Sequence, residues 1–222
     1  MLNTLDDYIP NSVPLHEDFC THGQLVKKVG PDGVLLPYPG NTAVFLLGEH
    51  ERGLLAGLRE ELYAAAGPML AERLRDESFH MTLHGLEDGV PGTPGLAERM
   101  SAAAALARPI LARHRQGPAL RMRATRLFNM LHTSVVLGLA PADGDSYARL
   151  DAMYLELEEV KRLGYALTPH ITMAYYRPGR YSAAQAARLA SALRPVELEL
   201  SLAMEDLVLQ DFTDMNRYTT VF

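Results

Sequence analysis

At 222 residues the chain is long enough to bury a sizeable core, either as one large domain or as two small lobes. Its residues are 48% hydrophobic and 22% charged, no apolar run approaches the length of a membrane span, and the opening MLNTLDDYIPNSVP lacks the apolar centre of an export signal. The single cysteine, Cys20, excludes an internal disulfide framework and makes a reducing, cytoplasmic setting the expectation, while a net charge of −6 argues against a grip on extended nucleic acid or an anionic membrane.

Residues 1–40 carry many prolines and glycines without a sustained period, and read as an irregular N-terminal arm that packs on the body. His16, Cys20 and His22 lie close together there but follow no metal-ligand spacing, so no metal site is expected from them. The run NTAVFLLG, bounded by Gly40 and Gly48, predicts a strand. Leu54, Leu55, Leu58 and Leu62 then recur at helical spacing, and Gly67-Pro68 separates that helix from a short second piece through Leu70 and Leu74. A strand follows around His80. Thr93 and Pro94 suit the cap and first residue of an alanine-rich helix reaching His114, which Pro109 should end or bend. Ala119–Phe128 reads as the next strand, and its arginines Arg121, Arg123 and Arg126 read most simply as a solvated strand edge.

The second half repeats this order. TSVVLGLA is a strand, Asp143 or Asp145 caps a helix, TPHITMAYY is a strand, Ser182 caps another alanine-rich helix, and Val196–Leu202 is a strand. Thr42 lies 38 residues before His80, and Thr133 lies 37 before His170. A strand–helix–strand–helix–strand unit therefore occurs twice. EDLVLQDF and RYTTVF close the chain as a hairpin. The prediction is a single α+β domain over 41–222, built as two related lobes around a pseudo-twofold axis.

Each unit carries a histidine strand. Alternation places His80, Thr82 and His84 on one face of the first, and His170, Thr172 and Tyr176 on one face of the second, with Met81, Ile171 and Met173 on the core side. Imidazoles titrate near neutrality, so one can take a proton while its partner gives one, as an in-line displacement at phosphorus requires. A hydroxyl two residues along the strand can hold a non-bridging phosphate oxygen. His80 and His84 would share a helix face, but the pattern is a strand and lacks the glutamate of a His-Glu-x-x-His protease, so a metal-dependent hydrolase is the weaker alternative.

HMTL and HITM resemble the paired signature of the 2H phosphoesterase superfamily, which includes RNA 2′,5′-ligase-like proteins and cyclic nucleotide phosphodiesterases. The likeness runs from about residue 40 to the C-terminus. DGVLLPYPGNTAVF also resembles an uncharacterised bacterial and fungal branch of that superfamily. The resemblance implies antiparallel sheets forming a concave cleft with helices outside. It implies His80 and His170 as the acid–base pair, Thr82 and Thr172 as phosphate-binding hydroxyls, and no cofactor. Tyr176, His84, Arg126, Tyr38 and Asn41 are candidate substrate contacts. The reaction implied is metal-independent hydrolysis of a 2′,3′-cyclic phosphate or related phosphodiester, on a nucleotide or RNA terminus. The alternatives are a binding module without turnover and 2′,5′ RNA ligation.

Overall fold

The computed structural model describes Leu2, Val13, Pro14 and residues 16–222; the rest of the predicted arm lies outside the described residues. In chain order the strands and helices are β1 (Phe19–Cys20), β2 (Gly40–Leu46), α1 (Glu49–Ala66), β3 (His80–Asp88), α2 (Leu96–His114), β4 (Leu120–Met130), β5 (Ser134–Pro141), α3 (Gly144–Glu158), β6 (His170–Tyr175), β7 (Arg180–Tyr181), α4 (Ala183–Ala192), β8 (Glu199–Leu202), β9 (Leu207–Asp214) and β10 (Arg217–Thr220). The twice-repeated unit is present, β2-α1-β3-α2-β4 followed by β5-α3-β6-α4-β8.

Eight strands form one curled antiparallel sheet in the order β10-β9-β2-β3-β6-β5-β4-β8. Its two halves exchange their outer strands. The first unit's β4 pairs with β5 of the second, and β9, which follows the second unit, returns to pair with β2. The predicted third strand of the second unit is shorter than expected, and as β8 it extends the β4 edge. The halves meet only at β3 and β6, through the single registered pair Met81↔Ile171. Within the sheet this one pair joins two four-stranded lobes, which are further held by α1 on α4 and α3 on α2 and β3.

Met81, Leu83, Ile171 and Met173 point to the helix side and are fully buried. α2 packs on β2, β3 and β9, and α3 on β3, β4 and β5, so burial of these β-branched and thioether side chains fixes the sheet's inner face. Asp143 caps α3 by accepting the Ser146 N–H at 2.8 Å, and Ser182 with Gln185 forms a capping box on α4.

Three local expectations change. α2 starts at Leu96 after Gly95, whose φ of 67° lies in the left-handed region, while the Thr93 hydroxyl donates to the Val90 carbonyl instead of capping the helix. Pro109 remains inside α2 on its exposed side, where water can take the carbonyl that its missing N–H leaves. The predicted second helical piece is only a 3-10 turn, Gly67–Met69; Leu70 and Leu74 enter the core from extended chain.

Arm residues contribute to the same core. Phe19 is 1% exposed, packs on Tyr176 at 5.1 Å between ring centroids, and sits in a two-stranded sheet with β7. Val13, Leu25 and Val29 are buried with it. At Gly40 the chains of β3 and β9 approach so closely that a Cβ would lie 2.5 Å from the Glu87 carbonyl oxygen.

Candidate active site

β3 and β6 are neighbours, and continuing the register from Met81↔Ile171 sets His80 beside Thr172 and Thr82 beside His170. The four side chains lie on the face opposite the helices, each partly exposed. His80 and His170 are thus diagonal neighbours, roughly 7–8 Å apart at the backbone for regularly paired strands.

Alternation holds for the first three residues of each motif and then fails in the same place on both strands. In β3 the register to β2 runs Val44↔Thr82 and then Ala43↔His84, skipping Leu83. In β6 the register to β5 runs Val136↔Thr172 and then Val135↔Ala174, skipping Met173. Each strand carries a one-residue bulge three positions after its histidine. A bulge sets two consecutive side chains on one side and inverts the face of the residues that follow, until in β3 a second shift beyond Gly85 returns Asp88 to the groove. Leu83 and His84 are both buried as a result, and so are Met173 and Ala174.

The bulges re-aim two predicted contacts. His84 is 1% exposed on the helix side, where its Nε2 meets Glu158 Oε1 at 3.1 Å and its ring lies 5.2 Å from that of Tyr154. Tyr176 is completely buried and donates its hydroxyl to Asn129 Oδ1 at 3.0 Å. Neither reaches the groove. Gly85 and Tyr175 line it instead.

Of the other candidates, Arg126 lies outside the groove, on the exposed side of β4, and donates to the Leu193 carbonyl at 3.2 Å. Asn41 borders the groove, but its amide is spent on structure: Nδ2 donates to the Met100 carbonyl and Oδ1 accepts the Glu87 N–H. Tyr38 lies in an adjoining hollow, its hydroxyl donating to Asp88 Oδ1 at 2.6 Å. His22 caps a 3-10 turn by accepting the Gln24 N–H, and among the described residues no cluster of metal-ligating side chains occurs.

Electrostatics follow from this placement. His170 Nδ1 lies 2.7 Å from the Thr168 carbonyl oxygen. A carbonyl only accepts, so Nδ1 carries the hydrogen and Nε2 of the neutral ring keeps its lone pair. Burial holds His170 below the ordinary imidazole value, against that hydrogen bond. Burial also lowers His80, to about 4; the backbone of Ser78 opposes the shift and the charge of His170 adds to it. Both histidines are therefore held by the backbone two residues earlier. Among the described residues neither the Thr82 nor the Thr172 hydroxyl has a protein partner, and both line the groove.

The groove is a small hollow of about 150 Å³, open to solvent on one side. Several of its walls have no sequence signal. Tyr218 packs edge-on to His80 at 4.8 Å and Phe212 lies tilted against Tyr218 at 5.5 Å, both brought there because β9 crosses back to β2. Lys28 arrives from the arm, and the Tyr175 hydroxyl contacts Met215 Sδ at 3.1 Å. Hydrophobic pattern alone could place none of these, since their positions depend on long-range topology.

No family model and no curated protein sequence matches this chain. Solved structures do. A conserved protein of unknown function from Agrobacterium tumefaciens is 19% identical, with a TM-score of 0.63 over 99% of this chain and 98% of that one. LigT of Escherichia coli, solved with 3′-AMP, is 13% identical, with a TM-score of 0.57 over 83% of this chain and 96% of its own. The chain has the two-lobed fold of the 2H phosphoesterases, the superfamily of LigT. No helix among the described residues is long and apolar enough to cross a membrane.

Proposed function

We propose that this protein is a metal-independent phosphodiesterase that opens a 2′,3′-cyclic phosphate, or a related phosphodiester, on a nucleotide or RNA end. The observation that carries the reading is that His80, Thr82 and Thr172 line one groove, with His170 set beside Thr82 by the strand register and both hydroxyls unpartnered among the described residues. The nucleotide in the LigT structure, which shares the fold, supports the choice of substrate class.

In this scheme the threonine hydroxyls donate to the two non-bridging oxygens of the phosphate. One neutral imidazole accepts a proton through Nε2 as water attacks phosphorus, and the P–O bond to one ribose oxygen breaks as the other imidazolium protonates that oxygen. One proton is taken and one is given, so the pair ends with its charges exchanged. Burial disfavours the protonated form of both rings in the free protein. The incoming phosphate anion raises an adjacent imidazole's affinity for a proton and supplies the acid form when it is needed.

The test is turnover of 2′,3′-cyclic mononucleotides and short RNAs ending in a cyclic phosphate, with and without EDTA, beside His80→Ala and His170→Ala. Turnover that survives EDTA and is lost in both variants is expected. Loss of activity in EDTA would contradict the metal-free scheme. Tight binding without turnover would make the protein a nucleotide or RNA-terminus binding module, and joining of RNA ends would make it a ligase.

A further inference from the structure

Lys28 and Tyr175 form a wall that the groove shares with a second hollow, bordered also by Gln24, Lys27, Tyr38 and Thr133. Two consecutive lysines border this hollow on a chain whose net charge is −6. Among the described residues neither Lys27 nor Lys28 has a carboxylate partner. Lys28 Nζ lies over the Tyr38 ring, 4.9 Å from its centroid, and Asp88 pins that ring in turn by accepting the Tyr38 hydroxyl at 2.6 Å. The cation is thereby positioned by an aromatic face without being neutralised.

A positioned lysine with a second lysine and an amide side chain, bordering a partly enclosed hollow, suits an oxyanion. A nucleotide with its cyclic phosphate between His80 and His170 has one other phosphate-bearing position on the same sugar, the 5′ oxygen. We infer that the hollow binds a second phosphoryl group, attached on the 5′ side of the nucleotide whose cyclic phosphate lies between the histidines. The inference rests on the proposed reading of the His–Thr face and extends it: the substrate class becomes an RNA end or a 5′-phosphorylated nucleotide, in preference to a simple cyclic nucleoside phosphate.

The experiment reads binding, by calorimetry on the full chain, with 3′-AMP, adenosine 3′,5′-bisphosphate and the dinucleotide ApAp as probes. The bisphosphate should bind about tenfold or more tightly than 3′-AMP at low salt. The ratio should fall towards one in the double variant Lys27→Gln/Lys28→Gln, and in the unaltered protein as salt rises. A dinucleotide that binds as tightly as the bisphosphate identifies the diester of an RNA end, and one that binds no better than 3′-AMP identifies a free 5′-phosphate. Equal affinities for 3′-AMP, the bisphosphate and ApAp in the unaltered protein would overturn the inference, and so would a double variant that weakens all three by the same factor. A protein that shows the predicted ratio yet hydrolyses nothing would sink the phosphodiesterase reading while sustaining the second phosphate site.

Discussion

At the scale of single residues, the proposed chemistry rests on the surroundings of two imidazoles. Burial lowers both His80 and His170, and His170 is fixed with Nε2 free by the Thr168 carbonyl. Since kcat/KM reports the free protein, its pH profile should be a bell with its maximum on the acid side of the ordinary imidazole value; a maximum at about pH 8 or above would contradict the assignment. Stability should follow the same group. The unfolded chain binds a proton at His80 near 6.5, whereas the folded protein resists it until about 4. Stability is therefore undiminished above the unfolded value and declines as pH falls through this window, by up to roughly 3 kcal/mol. His80→Asn should flatten the loss between those pH values in urea titrations, and an unchanged slope would refute this cause. Thr82→Val and Thr172→Val should each lower kcat by about 10²-fold, as loss of one oxyanion donor does, with little effect on folding.

At the scale of elements, the paired bulges decide which residues reach the groove. His80, Thr82, His170 and Thr172 precede them and were legible from alternation, as was the duplicated order of strands and helices. Residues after the bulges were not, because one inserted residue reverses the faces that follow and leaves no mark in the hydrophobic pattern. The consequence can be measured on two adjacent tyrosines. Tyr175→Ala should raise KM, since its ring lines the groove. Tyr176→Phe should leave KM in place and lower stability by about 1 kcal/mol, since it deletes a buried hydrogen bond. The reverse pattern would mean that β6 keeps strict alternation. His84 offers a second check from the other strand. Its contact with Glu158, which also accepts the N–H groups of Leu163 and Gly164, secures the loop leading to His170, so His84→Ala should lower stability by about 2–3 kcal/mol.

At the scale of the whole molecule, the two lobes of the sheet are joined by the single registered pair Met81↔Ile171, and that joint brings the two His-x-Thr motifs together. Composition and repeat spacing were enough to indicate the lobes, but not that their outer strands exchange, because strand order in a sheet is a long-range property. The exchange supplies Tyr218 and Phe212 to the groove, and the arm supplies Lys28. The arm is held by its own apolar anchor, so Phe19→Ala should cost about 3–5 kcal/mol and lower Tm measurably, whereas a tail without a structural role would tolerate the change. The central claim is that His80 and His170 act as one acid–base unit. It is tested most directly by a double-mutant cycle on kcat for a 2′,3′-cyclic nucleotide. His80→Ala and His170→Ala should each cost about 10²–10⁴-fold, and the double variant should be barely worse than either. Losses that multiply would mean that the two histidines act independently and would contradict the account.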